Sequence, residues 1–106
     1  MPENPNAIDH LRRAAELSDR LAVAADGGEW EAAARLEAER RPLIDDAFAA
    51  GPPADAEEAA ALIQRILAAD QRVAALASRA RDEAAAELAA LQKGKRMNKA
   101  YRDTGR

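Results

Sequence analysis

The chain has 106 residues, enough for one domain, and no Cys, which excludes disulfides and thiolate metal sites. Hydrophobic residues make up 48%, but 30 are Ala and only 21 are Leu, Ile, Val, Met, Phe, Trp or Tyr, so strong helices around a thin core are expected. The net charge of −3 divides into −8 over residues 1–92 and +5 over residues 93–106, an acidic body with a basic tail, and no apolar run approaches the roughly 20 residues that span a bilayer.

Residues 1–6, with Pro2 and Pro5, read as a disordered lead that lacks the basic and apolar regions of a signal peptide. Asn6 is placed to cap a first helix over about residues 7–26, with Asp9 favourable in its first turn. Leu11, Ala14, Ser18, Leu21, Ala22 and Ala25 share one face, flanked by Ile8 and Leu17. Gly27-Gly28 ends the helix. A second helix is expected over about residues 29–50, with Trp30, Ala33, Leu36, Leu43, Ile44, Ala47 and Phe48 inward. Trp30 reads as a core anchor closing the first hairpin. Pro42 falls on the solvent side, where its missing donor is tolerable and a bend toward the core is expected, the alternative being a break at Arg41.

Gly51-Pro52-Pro53 stops the second helix, and Asp55 caps a third with Glu57 and Glu58 in its first turn. The third helix is expected over residues 55–93, with Gly94 as its stop. Residues 94–106 are then a basic tail or a short helix, with Met97 and Tyr101 four apart on one face. No alternating β pattern is present. The expected fold is all-α, an antiparallel up-down-up helical bundle with a long third helix and a short C-terminal helix or tail.

The helix lengths are unequal. At 1.5 Å per residue the first two span about 30 Å each and the third nearly 60 Å. They cover the third helix only to about Leu76. The continuing stripe of Ala77, Ala80, Ala84, Leu88 and Leu91 needs another cover: a second copy, another protein, or Met97 and Tyr101. Leu62, Ile66 and Val73 continue that stripe into the body and complete the candidate partner-binding surface.

Catalysis has little support. His10, the only His, sits on the flank of the first helix and reads as a solvated side chain. Asp45-Asp46 and Glu57-Glu58 are adjacent in a helix and point about 100° apart, so they do not converge as an acid–base pair. No phosphate-cradling loop, metal-ligand spacing or cofactor motif occurs. Asp70, in mid-stripe, needs a partner, and antiparallel register brings Arg40 within reach as a structural ion pair. The alternative for Asp70 is gripping a partner chain.

Gly28-Glu29-Trp30, then Leu36-Glu37-Ala38-Glu39-Arg40-Arg41-Pro42-Leu43-Ile44, Ile63-Gln64-Arg65-Ile66-Leu67-Ala68-Ala69-Asp70 and Gly94-Lys95-Arg96-Met97-Asn98-Lys99-Ala100-Tyr101 occur in that order. Order and spacing resemble the FliT family of flagellar export chaperones over about residues 8–101. The resemblance implies a cytoplasmic chaperone that binds the C-terminal segment of the flagellar filament-cap protein. It further implies delivery to the export gate and ATPase complex and, in enteric members, capture of the master flagellar transcription activator. Carried onto this chain, it makes Met97 and Tyr101 a regulatory tail over the stripe of the third helix. The stripe beyond Leu76 is mostly Ala, which implies a shallower groove than the family pattern. No direct nucleic-acid contact, membrane insertion or cofactor is implied. The competing reading is a structural coiled-coil or homodimerisation protein without cargo.

Overall fold

A computed structural model describes residues 6–49 and 51–104. Most of the expected N-terminal lead, and the last two residues, lie outside the described residues. The described chain is helical: α1 Ala7–Asp26, α2 Trp30–Ala49 and α3 Ala56–Thr104. By its internal contacts it divides into two units, Met1–Leu76 and Ala77–Arg106. No helix among the described residues is long and apolar enough to cross a membrane.

In the first unit, the chain leaves α1 through a glycine turn. Gly28 has a φ of 72°, the left-handed region that a side chain would resist. Gly27, Gly28 and Glu29 N–H groups donate to Val23, Ala25 and Ala24 carbonyls at 3.1, 3.0 and 2.8 Å, satisfying the end of α1. Asn6 occupies the N-cap of α1 but its side chain makes no capping bond. Pro42 lies exposed inside α2, and the helix continues through it because the lost donor faces solvent. At the start of α3 the Glu58 N–H donates to Asp55 Oδ1 at 2.9 Å, a side-chain cap beside the acidic first turn.

α1 is the central helix of this unit. Nine of its residues are buried against three in α2, because both α2 and residues 56–76 of α3 pack on it. The core joins Ile8, Leu11, Ala14 and Ala15 of α1 to Ala47 of α2 and to Ala59, Leu62 and Ile66 of α3. Leu43, Ile44 and Ile63 pack at its edge. With Ala at so many inner positions, each contact buries little apolar area.

Three ion pairs fix how α1 and the first part of α3 align. Arg12 binds Glu58, Asp19 binds Arg65 and Asp26 binds Arg72, each pair 46 residues apart. A constant offset at seven-residue steps requires the two helices to run side by side in the same direction. Arg40 and Glu39 of α2 reach Ser18 and Arg13 of α1.

The third helix does not stop at Gly94. α3 extends to Thr104, so neither a tail nor a separate short helix follows residue 93. Glycine in a helix interior costs only about 1 kcal/mol relative to Ala. It terminates a helix by adopting positive φ, which Gly94 does not. Its neighbours are Leu, Gln, Lys and Arg, all good helix formers.

Candidate partner-binding surfaces

The residues singled out by the sequence fall into three places. Leu62 and Ile66 are buried in the core of the first unit, where α1 covers them, and are not available to a partner. Val73, Ala77 and Ala80 are half-buried. Ala84, Leu88 and Leu91 are exposed, Leu88 at 56% and Leu91 at 65%. Amphipathic spacing showed which residues share a face, but not how far along α3 that face is covered.

In the first unit, Arg40 and Asp70 meet. Arg40 Nη1 donates to Asp70 Oδ1 at 2.7 Å and to Ser18 Oγ at 2.9 Å. Ser18 Oγ in turn donates to the Ala14 carbonyl at 2.8 Å. The three helices are thereby joined through one guanidinium. The pair is asymmetric: Arg40 is only 9% exposed, whereas the Asp70 side chain is half-exposed. Beside Asp70 a cavity of about 260 Å³ opens between α2 and α3, lined by Ile44, Phe48, Ile63 and Leu67 among others. Phe48, expected on the inner face of α2, is half-exposed there.

Two further expectations are corrected in this unit. Trp30, read as a core anchor, is 37% exposed at the first position of α2 and lies outside the core cluster. His10, read as solvated, is half-buried with Nδ1 shielded from water. The buried arc of α1 is wide enough to take in its flank.

The described residues of the second unit are all helix. Every described residue from 81 to 103 is exposed, including Met97 and Tyr101 at 62% and 79%. At about 100° per residue, Met97 and Tyr101 point well away from Leu88 and Leu91. While the helix is unbroken at Gly94 they cannot lie over the stripe. The fold-back arrangement is therefore not the one adopted here.

The sequence reading missed the ion-pair ladder. Its signal was present: Arg12, Asp19 and Asp26 recur at sevens on α1, and Glu58, Arg65 and Arg72 recur at sevens with opposite signs on α3. Glu58, first by its hydrogen bond and then by its charge, raises the Arg12 pKa above that of an ordinary arginine. The hydrogen bond from Arg65 to Asp19 does the same for Arg65. These exposed pairs are screened by salt.

Among the described residues no group of three or more His, Asp or Glu side chains is placed to hold a metal ion. Comparison with curated proteins gave no match, and comparison with solved structures gave none. The model of the flagellar protein FliT family matches residues 8–103, nearly the whole chain, and the protein belongs to that family.

Proposed function

We propose that this protein is a cytoplasmic flagellar export chaperone, built on an up-down-up helical bundle. It binds the C-terminal segment of the filament-cap protein along the exposed face of α3 and delivers it to the export gate and ATPase complex. The observation that carries the reading is the pair of large apolar side chains, Leu88 and Leu91, left in solvent on a helix of a flagellar family protein. An amphipathic segment laid along an apolar helix face is an established recognition mode. Ala77, Ala80 and Ala84 extend the grip toward the body, and their small size lets a partner helix approach closely. Capture of the master flagellar transcription activator would use the same face.

The regulatory part assigned to Met97 and Tyr101 requires α3 to open at Gly94, its only glycine. The pair would then fold over the stripe and compete with cargo. An added Cβ at Gly94 meets nothing within 4 Å. Gly94→Ala therefore favours the straight helix by about 1 kcal/mol and raises cargo affinity severalfold. Unchanged affinity argues against fold-back.

The main test is titration of a cap-protein C-terminal peptide into wild type, Ala80→Glu and Ala84→Glu. Both substitutions abolish binding and leave helicity intact. If both bind like wild type, the grip lies elsewhere, with the cavity beside Phe48 and Leu67 the next place to look. If no peptide binds and the chain self-associates through residues 77–91, it is a dimerisation protein instead.

A further inference from the structure

The exposed face of the second unit changes character along its length. At about 100° per residue, Ala84, Leu88, Leu91, Lys95, Lys99 and Arg102 fall within an arc of about 80°. From Ala84 to Leu91 it is apolar and from Lys95 onward it is cationic, with exposed Arg81 one turn before Ala84 at the edge of the same arc. Asp82, Glu83, Glu87 and Asp103, the carboxylates of this unit, all fall outside the arc. Lys95, Lys99 and Arg102 are exposed and make no ion pair among the described residues. A solvated helix has no need for this order of two apolar turns and then two cationic ones.

We infer that the occupant of this face is an acidic amphipathic helix of another protein. Its apolar anchors lie over Ala84–Leu91, and its carboxylates lie over Lys95, Lys99 and Arg102. The inference rests on the proposed use of this face for partner binding and adds the chemistry of the partner. A second copy of the chain does not fit. Its matching face has no carboxylate to offer, and a parallel pairing would stack cation on cation. An antiparallel pairing would instead press the cations onto Ala77–Ala84 and strip their water without replacement. Leu88 and Leu91 would be idle on a phosphate backbone, where cations alone suffice. Charge complementarity across the outer two turns sets register and speeds encounter, while the apolar turns hold the complex.

The test uses the full chain and synthetic helical peptides with identical apolar positions. Two peptides carry three Glu at one end, N-terminal in one and C-terminal in the other, and the third carries Lys in place of Glu. Binding is followed by fluorescence anisotropy at low and high salt. One acidic peptide should bind about tenfold tighter than the Lys peptide at low salt, with the advantage shrinking as salt rises. Lys95→Glu with Arg102→Glu should invert the preference, and Lys95→Gln with Arg102→Gln should abolish it. These positions are exposed, so circular dichroism should show unchanged helicity. Equal affinities, no binding by any peptide, or a preference that survives charge reversal overturns the inference. Tighter binding to phosphatidylserine vesicles than to any peptide overturns it in favour of a membrane surface. The cap-protein segment is titrated in parallel. If it binds wild type and the reversed variant alike, the acidic register is wrong and the chaperone reading stands. If it fails to bind wild type while an acidic peptide binds, the cargo is wrong and the register stands.

Discussion

Arg40 is nearly enclosed and Asp70 is half in water, and this asymmetry sets the cost of losing either one. Asp70→Ala leaves a buried guanidinium with only the Ser18 hydroxyl for company, which costs about 3 kcal/mol. Arg40→Ala leaves a carboxylate that water can reach, and costs about 1–2 kcal/mol, partly through lost packing of the aliphatic stem. Arg40→Met combined with Asp70→Leu recovers most of the loss. Denaturant midpoints of the four proteins check this. A larger cost for Arg40→Ala than for Asp70→Ala contradicts the assignment of burial. The need for such a pair was legible, because a carboxylate in mid-stripe demands a counterion. The degree of burial was not, since it depends on how closely α1 approaches, and Ser18 supplied no signal beyond its place on the inner face.

At the scale of the helices, punctuation by Gly and Pro made both turns legible. Gly27-Gly28 and Gly51-Pro52-Pro53 stand where the chain leaves α1 and α2, and Asp55 caps α3. Gly94 carries the same letter with the opposite outcome. Without Pro or a second Gly beside it, its cost of about 1 kcal/mol is outweighed by strong helix formers on both sides. The length of α3 and the placement of Met97 and Tyr101 were misread together for that one reason. Pro42 offers a complementary test. Pro42→Ala restores a helix donor and raises stability by about 1 kcal/mol or more, read as a higher melting temperature with unchanged helix content. A lower melting temperature would mean that α2 needs the fixed φ of the proline to pack on its neighbours. The ladder is weaker per rung. Arg65→Ala costs about 0.2–1 kcal/mol and less at high salt, because both partners are half in solvent. A loss well above that range would mean that the rung sets the alignment of α1 and α3.

At the scale of the whole chain, the two structural units carry opposite net charge, with the basic excess of the second lying in residues 93–106. Residues 1–76 carry 8 basic and 15 acidic side chains, a net of −7, and residues 77–106 carry 8 and 4, a net of +4. The boundary at Leu76 is where the sequence expected cover of α3 to end. It was legible because helix length follows directly from residue count. What occupies the face beyond it was not legible, since an apolar stripe states only that some cover is needed. In the proposed function, residues 77–91 of α3 grip the partner. Hydrogen exchange of the full chain, with and without the cap-protein C-terminal segment, tests it most directly. An uncovered helix exchanges readily, so cargo should raise amide protection across residues 77–91 and leave α1 and α2 unchanged. Protection confined to the body around Phe48 and Leu67, with residues 77–91 still exchanging freely, would contradict it.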